Sequence, residues 1–208
     1  MIKHDVNNID LSVYEYNLLP EFDFDTLVKY VNEYKEKFPK NYSKKYSHWE
    51  EESLWEGGNW WHSDYIVQYQ TNDFDRLISS IEKKANYIIN DPKALIGVTL
   101  EVKESWIIDY KRLSYHKEHK HHPLSFAAIC YLDIDQGSDI CFGNTKITPE
   151  TGKLLIFPGS LTHKVSPMTY PNGRRLIMAF NLYPTKLNID KFNQKIENLN
   201  TEKNYQTT

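Results

Sequence analysis

The sequence predicts an α+β protein in which two amphipathic helices precede a double-sheet jelly roll of short strands. Three observations carry this expectation. Apolar residues recur at helical spacing in two windows before residue 90, the period changes to two from Ile96 onward, and turn residues then punctuate the chain at short intervals. A length of 208 residues suits one domain with a full core. It divides into a helical, aromatic part over 1–95, a jelly-roll core over 96–184 and a tail over 185–208.

The first helix is expected over 25–38, where Asp23 or Asp25 caps the start, Leu27, Val31, Tyr34 and Phe38 share one face, and Pro39 ends it. A polar, aromatic segment follows, with Gly57-Gly58-Asn59 as its clearest turn. Trp60, Trp61 and Asp64 just beyond it are candidates for a substrate rim, although Trp61 suits an anchor for the helix beneath as well. The second helix is expected over 74–89, with Asp73 as N-cap and a stripe of Phe74, Leu77, Ile78, Ile81, Ala85 and Ile88. Both stripes read as packing, so the helices should buttress one face of a sheet.

From residue 96, Val98, Leu100 and Val102 alternate with polar residues, and Trp106, Ile108 and Tyr110 continue after an irregularity at Glu104-Ser105. Further strands are expected at 125–132, 139–142, 153–157, 163–166 and 175–182, separated by turns at 135–137, 143–144 and 171–173. Helices first and short strands afterwards suit a sandwich of the cupin kind. Leu187, Ile189, Phe192 and Ile196 could form a short docking helix, and 201–208 should fray.

A net charge of −3 and a pI near 6.2 argue against a general nucleic-acid binder. No run of about 18 apolar residues occurs, and 1–10 lacks an apolar core, so neither a membrane span nor a signal peptide is expected. Cys130 and Cys141 have no metal-type spacing and should be reduced and buried, which points to the cytoplasm. The substrate and the oligomeric state are not legible.

The chemistry concentrates in the run 115–123. Four of the eight histidines, His116, His119, His121 and His122, fall within seven residues, and His163 stands alone downstream. On an extended chain His119 and His121 point the same way, with Lys117, and can reach one ion. His163 from a distant strand would close one face of the coordination sphere.

The stretch Gly152 to Pro158 (GKLLIFP), then Leu161, His163, Val165 and Pro167, then Arg175 to Asn181 (RLIMAFN), resembles the small bacterial and phage branch of the iron(II)/2-oxoglutarate-dependent dioxygenases, relatives of prolyl hydroxylases. The likeness covers about 106–183, with a weaker echo at 61–81. It implies a double-stranded β-helix, Fe(II) as cofactor, 2-oxoglutarate as co-substrate, and hydroxylation coupled to decarboxylation of 2-oxoglutarate to succinate. It also implies that His163 is the distal metal ligand, that Arg175 clamps the far carboxylate of 2-oxoglutarate, and that Tyr110 hydrogen-bonds the co-substrate. A planar guanidinium suits the clamp because it holds a carboxylate through two parallel bonds. Arg174 should point to the opposite face.

One departure stands out. The family's first ligand pair commonly contains a carboxylate, whereas His119-Lys120-His121 offers a second imidazole. Counting forward from Tyr110, and the proline after the pair, favours His119 and His121. Counting back from Ser125 favours His116 and Glu118, a literal His-x-Glu. Two other readings fit the same residues: a non-catalytic cupin-like binding module, and a three-histidine metalloenzyme that does not use 2-oxoglutarate.

Overall fold

In the computed structural model, which describes residues 1–6, 11–39, 55–56, 60–63, 71–90, 98–110, 114–123, 125–135, 138–167 and 173–187, period-two alternation builds two cores back to back. The elements in chain order are β1 (Ile2–Asp5), β2 (Ser12–Asn17), α1 (Phe24–Lys37), β3 (Trp55–Glu56), β4 (Trp60–His62), α2 (Asn72–Ile89), β5 (Val98–Tyr110), β6 (Tyr115–His119), β7 (Phe126–Ile134), β8 (Ile140–Phe142), β9 (Thr145–Ile147), β10 (Lys153–Pro158), β11 (His163–Val165) and β12 (Arg175–Leu187).

A larger antiparallel sheet runs β1-β2-β10-β7-β12-β5-β4, and a smaller one runs β3-β6-β11-β8-β9. From β5 onward the strands cross repeatedly between the two, giving an antiparallel sandwich of jelly-roll type. Ile107, Ala128, Cys130, Leu154, Ile156, Met178 and Phe180 turn outward from the large sheet and pack with Leu27 and Val31 of α1 and with Phe74, Leu77 and Ile81 of α2. The residues between them, including Trp106, Ile108, Tyr110, Ile129, Leu155, Phe157, Ile177 and Ala179, turn inward to meet Ile140, Phe142 and Val165 of the small sheet. The helices therefore buttress one face, as their stripes require.

Asp23 caps α1, accepting from the backbone N–H groups of Asp25 and Thr26. Thr71, not Asp73, caps α2. Its hydroxyl stands three residues before Phe74 and accepts that N–H, which leaves Asp73 inside the first turn. The irregularity expected near Glu104 is a bulge, since Asn181 pairs with Glu104 and Leu182 with Val102, leaving Lys103 as the extra residue. Strand β12 runs to Leu187, beyond the expected 182, because pairing with β7 ends at Leu182 and Pro184 lies where only β5 is a neighbour. Strands β1 and β2, unread in the sequence, extend the large sheet through pairing of β2 with β10.

Cys130 and Cys141 are buried and free. Among the described residues no helix is long and apolar enough to cross a membrane. Asp64, the Gly57 to Asn59 turn, the 171–172 part of the last turn and, past Leu187, the expected docking helix lie outside the described residues.

Candidate functional site

Backbone pairing assembles the site. His163 opens β11 directly opposite His119, the last residue of β6. Two residues on, His121 has left the strand, and its N–H donates to the Gly159 carbonyl at 2.8 Å, which ties the histidine turn to the end of β10. Gly159 in turn donates to the Ser125 carbonyl at 2.7 Å. A Cβ at Gly159 would strike the Ser125 hydroxyl and the His122 carbonyl, so only glycine allows this approach.

One ligand nitrogen from each of His119, His121 and His163 lies within 4.8 Å of the others. The ring centroids stand 4.2 Å apart for His119 and His163, 5.2 Å for His121 and His163, and 5.4 Å for His119 and His121. Phe142, Phe157 and Trp106 surround them. His119 Nδ1 lies 2.9 Å from the Lys117 carbonyl, and His163 Nδ1 lies 3.0 Å from the Leu161 carbonyl. A carbonyl can only accept, so both Nδ1 atoms carry hydrogen and both Nε2 lone pairs are free to ligate. Burial is the largest cause holding all three histidines below their ordinary pKa. His121 falls to about 4, and His163 goes well below the usual range, with neighbouring imidazoles adding to burial. Neutral imidazole is the ligating form, so the donor set fits a first-row divalent ion.

The alternative pair is not assembled. Glu118 is exposed and belongs to no ligand group among the described residues. His116 is buried, with its ring 3.8 Å from that of His119, yet it stands outside the converging trio. The expected alternation across the run also fails. His163 pairs with His119 and Val165 with His116, so three steps on β6 face two on β11, and this bulge turns His116 and His119 to the same side.

Arg175 lies farther along the inner face of the large sheet, paired with Tyr110 across the strands. Its Cζ stands 4.0 Å over the Tyr110 ring, Nη1 donates to the Ser138 carbonyl at 2.9 Å, and Nε is buried without a partner. Among the described residues no carboxylate pairs with this buried cation, a donor set suited to an incoming carboxylate. Burial pushes the Tyr110 hydroxyl up to about 12 against the opposing effect of Arg175, so it remains a neutral phenol. Arg174 turns to the other face as expected. There it binds Asp109 at 3.1 Å and Asp133 at 2.9 Å, while Lys35 of α1 donates to Asp109 at 2.6 Å. Burial alone would raise the Asp109 carboxyl, but hydrogen bonds from Arg174 and Lys35 hold it below its ordinary range.

Trp61 faces the helix side, where Nε1 donates to the Phe38 carbonyl and Lys35 covers its ring. It is an anchor, not part of a substrate rim. Its neighbour His62 faces inward, stacked on Trp106 with centroids 6.3 Å apart. Asn181 was missed by sequence reasoning, although its even separation from Arg175 places it on the same inner row, next to His121.

No protein-family model and no curated protein matches the chain. Solved structures do. The viral collagen prolyl hydroxylase vCPH from Paramecium Bursaria Chlorella virus-1, a 2-oxoglutarate complex, is 17% identical over 82% of this chain and 96% of its own, with a TM-score of 0.56. A Pseudomonas putida prolyl-4-hydroxylase is 14% identical over 84% and 93%, with a TM-score of 0.57. HygX from Streptomyces hygroscopicus, with nickel and 2-oxoglutarate bound, is 12% identical over 83% of each chain, with a TM-score of 0.55. The chain shares the fold of these oxygenases.

Proposed function

We propose that the protein is an Fe(II)/2-oxoglutarate-dependent dioxygenase, a hydroxylase, and that its sandwich is a double-stranded β-helix. One observation carries the reading: three neutral imidazoles converge between the sheets, on the same inner face as a buried guanidinium that has no carboxylate partner among the described residues. The fold shared with 2-oxoglutarate-bound structures supports it. In this reading His119, His121 and His163 hold the metal, and Arg175 with Tyr110 binds the co-substrate.

When bound, iron and 2-oxoglutarate supply oxygen activation coupled to decarboxylation of the co-substrate to succinate and hydroxylation of a C–H bond. The chain does the rest. Arg175 anchors the far carboxylate through two charge-assisted bonds, and the Tyr110 hydroxyl donates beside it. The Lys117 and Leu161 carbonyls fix the tautomers of His119 and His163. Trp106, Phe142 and Phe157 pack against the rings. The buried reduced thiols favour a cytoplasmic setting.

The test is anaerobic addition of 2-oxoglutarate to the Fe(II)-loaded protein. A metal-to-ligand charge-transfer band, and succinate on admitting oxygen, are expected. The carboxylate-free ligand set favours a second reading, a three-histidine metalloprotein without 2-oxoglutarate. Iron bound without the band would select it.

A further inference from the structure

The face that carries the histidines has a buried end and an open one. Arg175 and His163 are each 2% exposed, His121 and Glu104 are half-buried, and His122 is exposed. In the dioxygenase reading the co-substrate fills the buried end beside Arg175, which leaves the open end to the substrate.

Glu104 stands at that open end. It lies two residues from Trp106 on the inner face of β5, and the Trp106 ring is 6.4 Å from that of His121. Its Oε2 accepts from Asn181 Nδ2 at 2.6 Å and from the Tyr183 hydroxyl at 3.3 Å. The Tyr183 ring packs with that of His122, the chain neighbour of His121, at 6.2 Å between centroids. Ring contacts on two sides therefore tie this carboxylate to the histidine turn.

Two acceptors at this point lack a donor. A carboxylate only accepts, so the Asn181 atom at 2.6 Å is the amide nitrogen, and the buried Oδ1 is left without a partner. Among the described residues Glu104 Oε1 accepts no hydrogen bond, and no cation pairs with the carboxylate, because the adjacent Lys103 turns to Glu101 at 2.7 Å. A buried acceptor is costly until a donor arrives, and the half-buried carboxylate beside it marks the side open to one. The Tyr183 oxygen gives its hydrogen to Glu104 and keeps lone pairs for a further bond. Three acceptors, one of them charged, match the three N–H donors of an ammonium group. A guanidinium fits less well, since its fork takes both oxygens of a carboxylate and Oε2 is already used twice.

We propose that Glu104, Asn181 and Tyr183 form the substrate subsite and that it takes a primary ammonium, so that the protein acts on an amine-bearing substrate whose C–H bonds near that nitrogen lie over the three histidines. The proposal rests on the dioxygenase reading. Glu104 selects by charge, while Asn181 and Tyr183 hold its carboxylate in place and complete the donor count.

The probe is n-butylammonium, with n-butanol and butyrate as its neutral and anionic matches, on protein loaded with Mn(II) and 2-oxoglutarate. The unpaired electrons of Mn(II) broaden the proton lines of a small molecule held beside it, so titrating the broadening gives both affinity and place. n-Butylammonium should bind at least about tenfold tighter than either match, the scale of a charge-assisted contact. Glu104→Gln should erase that preference, and Tyr183→Phe should weaken it less. Glu104→Lys should transfer it to butyrate, which a loss of packing would not do. The exposed Glu118→Gln should keep it. A short peptide with one lysine that competes better than n-butylammonium assigns the ammonium to a side chain, and one that competes worse assigns it to a small molecule; both results keep the subsite. Wild-type protein with no preference for the ammonium, or Glu104→Gln protein that retains it, overturns the proposal. Should the Glu104 variants not fold, an undiminished preference in Tyr183→Phe overturns it. Failure of the dioxygenase reading looks different. Protein that binds no Mn(II), or broadening that survives His163→Ala, rejects the metal centre and the substrate assignment with it. An absent preference on protein that still binds Mn(II), and that gives the charge-transfer band with Fe(II), rejects the subsite alone.

Discussion

Arg174 and Arg175 are chain neighbours with opposite work. Arg175→Leu should raise the 2-oxoglutarate requirement tenfold to a hundredfold, the equivalent of about 1.5 to 3 kcal/mol for a charge-assisted contact, with little change in melting temperature. Arg174→Leu should do the reverse, costing about 1 to 3 kcal/mol of stability because the buried Asp109 then keeps, among the described residues, only Lys35 as an ion partner. Titrating 2-oxoglutarate against both variants checks this, and equal effects would mean that the two side chains do not face apart. The histidines separate as cleanly. His119→Ala, His121→Ala and His163→Ala should each lose stoichiometric Fe(II), while His116→Ala keeps measurable activity and the exposed Glu118→Gln stays near wild type. Iron content by absorption spectrometry decides, and the reverse pattern would move the ligand set to His116 and Glu118.

Elements that bury an apolar face were legible in the sequence, and elements whose partners are distant were not. The stripes of α1 and α2 and the alternation along β5 and β12 are local patterns that the cores enforce. Strand β1 is the polar edge of the large sheet and β2 lies just inside it, with Lys3, Asp5 and Glu15 masking their period. Spacing showed that His119 and His121 could share an ion with His163 and left His116 with Glu118 open as the other pair, but it could not show the inward turn of His116. It depends on a bulge in β6 that only pairing with β11 defines. Asn181 was within reach of the same parity argument that separated Arg174 from Arg175. At this scale Gly159→Ala should disturb the site before the fold. The clash falls on the His122 carbonyl and Ser125, so the histidine turn must shift. Metal affinity should drop at least tenfold with a smaller relative change in thermal midpoint, and calorimetry beside metal titration measures both.

For the whole molecule, the buried histidines set the response to acid. Their folded pKa values lie below the ordinary 6.5, so between about pH 6.5 and pH 4 the unfolded chain binds more protons than the folded one, and stability falls as pH falls through that window. The apo melting temperature should drop on acidification from pH 7 to pH 5. Saturating Fe(II) should raise it at pH 7 and lose that benefit as protons compete for the ligands. An apo melting temperature flat over this range would contradict the buried, neutral state. The large sheet carries a further consequence, because its two faces meet different neighbours. In a saturation library scored separately for cellular abundance and for succinate release, the codons of β12 should fall into two interleaved sets. Leu176, Met178, Phe180 and Leu182 would register in abundance, and Arg175, Ile177, Ala179 and Asn181 in turnover. Drift in such a gene would then be written with a period of two, one history of thermal endurance threaded through another of chemistry.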